Sequence, residues 1–195
     1  MRSMISAALV LALAAPGLAV AQTASSPPLG GPLVPGVCLM SVAAVDANAK
    51  VGQAATARLQ ELQRAAQAEV NSETAALQAD DKALQAQKAS LKPSEFDAKA
   101  RALRTRAAAL QQKANLRSQQ WELTRQKALQ RIHGEMEQVV PAVYKAHGCG
   151  LLVDRNAVLG GNMGNDLTKS VVDALDARIT TISFDLEPPP APPAR

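Results

Sequence analysis

The sequence predicts an α+β fold, a long antiparallel α-helical coiled-coil hairpin inserted in a small β-sheet head. Three observations predict it. Leucines and valines recur at seven-residue spacing through two long polar, Ala-rich segments, a Pro-centred interruption separates those segments, and short apolar runs of strand length stand near the two ends of the chain. Of 195 residues 47% are apolar, yet only Phe96, Trp121, Tyr144 and Phe184 are aromatic. Apolar surface therefore comes mainly from Ala, Leu and Val, which suits slender helix pairs better than a thick core.

The N-terminus carries one charge, Arg2, then an apolar run from Ile5 to Leu13, the breakers Pro16 and Gly17, and Ala19-Val20-Ala21 before Gln22. This pattern predicts a secretory signal peptide at residues 1–21, with an apolar run too short to span a membrane. No Cys follows the cleavage site directly, so a lipid anchor is not expected, and the mature chain is expected to be soluble and exported. An exported chain meets little DNA and no ATP. The formal net charge of +4 therefore points away from nucleic acid and towards acidic clients or anionic headgroups. Residues 22–36, QTASSPPLGGPLVPG, are interrupted by Pro and Gly and predict a flexible leader.

Val37 to Val42 is a continuous apolar run after Pro35-Gly36 and predicts a strand. From Val51 to Leu91 the chain has neither Pro nor a second Gly after Gly52, and Val70, Leu77, Leu84 and Leu91 stand seven apart. That is a long helix with a coiled-coil seam. Pro93 then disfavours helical angles at Lys92, while Ser94 with Asp97 three residues on predicts the cap of a return helix from about Glu95 to Ala146. Leu103 and Leu110 continue the heptad, and Ile132, Met136, Val139 and Val143 form an apolar stripe, with Gly134 and Pro141 marking bends. Arms spanning 51–146, about 40 residues per helix at 1.5 Å each, project about 60 Å.

After Gly148, Cys149–Val153 and Ala157–Leu159 predict two strands around the Asp154-Arg155-Asn156 turn. Gly160 to Asn165 reads as a loop, and Asp166 or Thr168 as the cap of a helix whose Val171, Val172, Leu175 and Ile179 share one face. The head is thus assigned to 37–50 and 147–187. Residues 188–195, Pro-rich, favour a polyproline II tail that is either solvated or a docking motif.

Catalytic, cofactor and metal sites are not expected. The glycines of GGNMGND lack the Gly-Lys-Ser/Thr of a phosphate loop, and the pair His147 and Cys149 is short of the three or four ligands a metal needs. In an exported chain Cys38 and Cys149 are either a disulfide joining the two ends of the head or two buried thiols. Charge partition says more. Residues 51–91 carry four basic and five acidic side chains, whereas 98–131 carry nine basic ones against Glu122 alone. The return helix either turns this excess to solvent and its acidic partner helix or offers it to acidic clients or an anionic membrane surface. Lys99, Arg101, Arg104 and Arg106, with Leu77, Leu84, Leu91, Phe96, Leu103 and Leu110, are accordingly the client-binding candidates, although the leucines belong first to the seam.

The order of parts resembles the Skp/OmpH family of periplasmic chaperones. The resemblance rests on VCLMS, on AKVGQAATARLQEL, on the polar hairpin and above all on VYKAHGCGLLVDRNAVLGGNMGNDLTKSVVDAL, which matches the family's closing pattern at Gly150, Leu151–Asp154, Asn156-Ala157-Val158 and Asp166-Leu167-Thr168. It covers about residues 37–180. It implies a homotrimer of jellyfish shape, whose heads join through surface such as Val37, Leu39, Leu152 and Val158 and whose hairpins are tentacles around a cavity. There, in the periplasm and without ATP, unfolded outer-membrane β-barrel proteins would be held. The alternative from another class is a structural or adaptor protein that uses the hairpin as a spacer and docks one partner near Pro93–Phe96. The Cys pair, the Pro-rich ends and the scarcity of aromatic residues in the arms depart from the family pattern.

Overall fold

The computed structural model describes residues 29–188, so the signal peptide, the first part of the leader and nearly all of the Pro-rich tail lie outside the described residues. The elements are β1 (Val37–Met40), α1 (Val42–Asn48), α2 (Lys50–Ala86), α3 (Pro93–Ala146), β2 (Leu151–Asp154) and α4 (Thr168–Arg178).

β1 and β2 pair in parallel, Val37 opposite Leu151 and Met40 opposite Asp154. The expected third strand at Ala157–Leu159 does not form. Asp154 Oδ1 accepts a hydrogen bond from the Asn156 N–H at 2.9 Å, and this turn winds Arg155–Ala157 into a single 3-10 turn. Leu159 is left fully exposed. The other edge of β1 is taken instead by the segment before α4, where Leu39 N–H donates to Asn165 O and Leu167 N–H to Leu39 O at 3.0 and 2.8 Å.

Ser41 ends β1 and caps α1, its hydroxyl accepting from Ala44 N–H at 3.2 Å. Its own N–H donates to the Thr168 hydroxyl, and Asn156 Nδ2 donates to its Oγ, so one buried serine joins the starts of α1 and α4 to the 3-10 turn. The N-cap of α4 is Leu167 rather than Asp166 or Thr168; Asp166, one residue earlier, accepts from Thr168 N–H at 2.8 Å and pairs with Arg155 at 2.8 Å. Partial burial works to raise its pKa, but the hydrogen bonds from Thr168 and Arg155 outweigh this and hold it below the usual carboxylate value.

The core of the head lies between α1, the first turns of α2, the last third of α3 and α4. Val45, Val51, Ile132, Leu167, Val171 and Leu175 are fully buried there, each worth about 1.5–3 kcal/mol of burial. The chain turns sharply between α1 and α2 at buried Ala49, which is extended. Gly52 makes that turn fit, because a Cβ at this position would stand 1.8 Å from the Asp46 carbonyl oxygen.

α2 and α3 are the hairpin. α2 stops at Ala86, and α3 begins at Pro93, two residues before the predicted start. Lys92, not Ser94, is the cap. Pro93 occupies the first helical position, where its missing N–H costs nothing, and the Glu95 carboxylate, not Asp97, accepts from Lys92 N–H at 3.3 Å. α3 runs unbroken through Gly134 and Pro141.

Two end segments differ from expectation. Residues 29–36, expected as flexible leader, are tied to the Gly160–Asn165 loop: Asn162 Nδ2 donates to Gly31 O and Asn165 Nδ2 to Val34 O and Val37 O. The exposed Leu29 side chain lies against Gly160 in this contact. Residues 179–187, assigned to the head, form neither helix nor strand; they pack on the head's core at Ile179, Ile182 and Phe184 and run on as a strap along the base of the hairpin. Ile182 enters the core, Arg131 donates to Ser183 O, and Arg58 pairs with Asp185.

The cysteine alternatives resolve to a disulfide: Cys38 and Cys149 are bonded, their Cα atoms 5.7 Å apart and 111 residues apart in sequence. Closing so long a loop removes denatured-state entropy worth about 4–5 kcal/mol on the chain-entropy model. Reduction, or the pair of variants Cys38→Ser and Cys149→Ser, is expected to lower unfolding stability by roughly that amount, read as a lower urea midpoint with unchanged far-UV circular dichroism at zero denaturant. An unchanged midpoint would show that the head is closed equally well by its hydrogen bonds alone.

Candidate functional site

The functional surface expected from the sequence is the arm. At 1.5 Å per residue the 37 residues of α2 and 54 of α3 extend about 55 and 80 Å. Their seam is thin. Leu77, Leu91, Phe96, Leu103 and Leu110 are only half-buried, because two helices cover one stripe of each other and leave its flanks to solvent. Leu84 is the exception at 5% exposure; it is filled into the seam and has little surface left for a client.

The two edges of the seam differ. On α3, Arg106, Lys113, Arg117, Gln120, Thr124, Lys127 and Arg131 recur at helical spacing and form one stripe. Arg106 pairs with Asp80 at 2.5 Å, Lys113 with Glu69 at 2.6 Å and also with Glu73, and Arg117 with Glu69 at 2.9 Å. Hydrogen bonds from Lys113, then Arg117, hold the Glu69 carboxyl below its ordinary pKa, and Glu69 in turn raises the Lys113 ammonium. These exposed pairs set register more than they stabilise. Further down the same stripe the strap takes over, with Lys127 on Glu187 at 2.7 Å.

Part of the basic excess is thereby used inside the molecule. Arg106, a client-binding candidate from sequence, is engaged by Asp80, although its side chain stays 56% exposed. Lys99, Arg101 and Arg104 are exposed, and among the described residues no carboxylate lies within ion-pair distance of them. Arg104 and Lys99 each line one of two shallow grooves near the tip. One, of about 460 Å³, is lined by Leu77, Phe96, Leu103 and Arg104; the other, of about 300 Å³, by Leu84, Leu103, Lys99 and Arg106. Lys88 Nζ stands 5.7 Å from the centre of the Phe96 ring, a contact the sequence reading did not foresee. The arm thus offers half-covered leucines next to unpaired cations, a surface for weak and exchangeable contacts with extended, acidic or apolar chain.

On the head, Val37, Leu152 and Val158 are half-buried, and Leu151 on the outer edge of β2 is 55% exposed. Leu39 is buried within the chain at 7%, and its backbone is bonded to the segment that leads into α4, which leaves it little surface to share. Among the described residues no group of three His, Cys, Asp or Glu side chains could hold a metal, and Cys149 is committed to the disulfide. No helix is long and apolar enough to cross a membrane, again among the described residues.

The thin seam has a measurable consequence. Leu84→Ala removes the most buried tip-side contact, a change that costs about 2–5 kcal/mol in a packed setting. Hydrogen exchange is expected to quicken at the amides around residues 80–100 while those of Val45, Val171 and Leu175 keep their protection. Equal acceleration in both places would mean that arm and head unfold as one unit.

The geometry agrees with the proteins to which the chain is similar. No curated protein matches it. Among solved structures, one described as that of an OmpH-like outer membrane chaperone from Caulobacter crescentus CB15 is 40% identical, superposes with a TM-score of 0.77, and is matched over 81% of this chain and 94% of its own. The model of the family described as outer membrane protein (OmpH-like) matches residues 36–175, from the turn before β1 to the buried Leu175 of α4. The chain belongs to the OmpH-like family of outer membrane chaperones.

Proposed function

We propose that this protein is an ATP-independent periplasmic holdase. It binds unfolded outer-membrane β-barrel proteins between helical arms and prevents their aggregation in transit to the outer membrane. The observation that carries this reading is the arm itself. It is a long pair of helices whose seam leucines other than Leu84 are only partly covered, flanked by Lys99, Arg101 and Arg104, which have no ion-pair partner among the described residues. Many weak contacts along such a surface shield the strands of a barrel precursor, whose unpaired edges are the hazard for aggregation, and still release them without external energy.

The family resemblance supports an assembly of three chains joined by their heads, with Val37, Leu152, Val158 and exposed Leu151 among the surfaces available for burial between copies. The apolar Ile5–Leu13 run and the Ala19-Val20-Ala21 site support export to the periplasm. The same cations can meet anionic headgroups when the arm tips approach a membrane.

The test is light scattering. Several unrelated barrel proteins, denatured in urea and diluted into buffer with the mature protein, are expected to stay clear. Charge reversal at Lys99, Arg101 and Arg104 to Glu is expected to weaken the protection about tenfold or more and to flatten its dependence on salt. Arg106 is left alone, because a glutamate there would face Asp80 and disturb the hairpin. Protection of one protein only, with the rest precipitating, would replace the holdase by an adaptor with a single partner.

A further inference from the structure

The strap at 179–187 lies beyond the span matched by the family, and it is held in a manner that a passive tail does not require. From Ser183 opposite Arg131 to Glu187 opposite Gln120 it follows α3 for about 16 Å. Four groups read its main chain. Arg131 donates to Ser183 O at 3.0 Å, Arg58 Nε donates to Phe184 O at 3.2 Å, Glu187 N–H donates to the Thr124 hydroxyl at 2.9 Å, and Gln120 Nε2 donates to Glu187 O at 2.8 Å. Thr124 and Gln120 are 1% and 6% exposed. Within α3 the Thr124 hydroxyl donates to Gln120 O and Gln120 Oε1 accepts from Arg117, and the remaining hydrogen-bonding capacity of these two buried side chains goes to an extended backbone.

The strap's side chains alternate. Ile182 is buried in the core and Phe184 packs against it, while Ser183 and Asp185 face solvent. The run Ile-Ser-Phe-Asp-Leu-Glu therefore has the period of a strand, although among the described residues no strand pairs with it. Its acidic positions meet bases, Asp185 on Arg58 and Glu187 on Lys127. A site that reads backbone and accepts every second side chain is tolerant of sequence, and a transmembrane barrel strand has the same alternation of apolar and polar residues.

We infer that the groove at the base of the hairpin, formed by Arg58 on α2 and Gln120, Thr124, Lys127 and Arg131 on α3, is a binding site for an extended polypeptide with alternating apolar and polar side chains, and that residues 182–187 are its resident intramolecular competitor. The identification of that polypeptide with a barrel client rests on the function proposed above; the peptide site does not. A tethered competitor acts at an effective concentration on the order of millimolar. A free segment therefore enters only when it is already concentrated nearby, as a chain held on the outer arm would be.

A fluorescein-labelled peptide of residues 180–188 is titrated into the full chain, into a chain ending at Arg178, and into a full-length variant with Ile182→Ser and Phe184→Ser. Both altered chains are expected to bind the peptide about tenfold or more tightly than the full chain does, and Gln120→Ala with Thr124→Ala is expected to reverse the gain. The Ser variant carries the test if the shortened chain does not fold. No gain in a variant that keeps the circular dichroism and oligomeric state of the parent overturns the site. A denatured barrel protein added to the bound complex is expected to displace the peptide. Peptide binding without displacement supports the site and counts against barrel proteins as its ligand.

Discussion

Two strands that pair in parallel cannot be joined by a tight turn, so the chain between them has to leave the sheet and come back to the same end. In this protein β1 and β2 are four residues each, and the chain between them is the whole hairpin. The arm is thus the crossover of a minimal parallel sheet, and whatever holds the two strands together also holds the arm at its root. The disulfide between Cys38 and Cys149 does so covalently, and the buried Ser41 does so through Thr168 and Asn156. The family's closing pattern acquires a physical meaning from this lock, because Asn156, Asp166 and Thr168 are the residues that close around the end of β1.

Stability falls from root to tip. The head has a compact core shared by α1, α2, α3 and α4, whereas the outer arm has one stripe of leucines and a row of exposed ion pairs that contribute little individually. Between them the strap follows one edge of the seam and is bonded to the buried Thr124 and Gln120. Such a gradient suits a binding arm: the segment with fewest buried contacts opens most readily, while the root keeps its geometry.

Much of this was legible in the sequence, because the heptad leucines, the Pro93 interruption and the apolar runs at Val37 and Leu151 each report a local preference. What was not legible depends on contacts between distant residues. Ala157-Val158-Leu159 has strand composition, but the Asp154 side chain closes a turn before it and the bond-forming edge of β1 goes to Asn165 and Leu167. The alternation of Ile182, Phe184 and Leu186 was visible as a pattern, yet its partner is a helix stripe some 60 residues away, which no local rule predicts. The charge of α3 showed the arm's basic character, while its division into paired Arg106, Lys113 and Arg117 and unpaired Lys99, Arg101 and Arg104 needed the register of the two helices. The cysteines illustrate the same limit: their compartment favoured a bond, but only the pairing of β1 with β2 brings their Cα atoms to 5.7 Å.

The proposed assembly, in which arms rooted in locked heads enclose one client, is tested by stoichiometry. Native mass spectrometry of residues 22–195, alone and after dilution of a urea-denatured barrel protein into it, reads this without a label. Three chains alone, and three chains with one client after mixing, are the expected result. A monomer, or a trimer that lets the barrel protein precipitate while remaining empty, would contradict it.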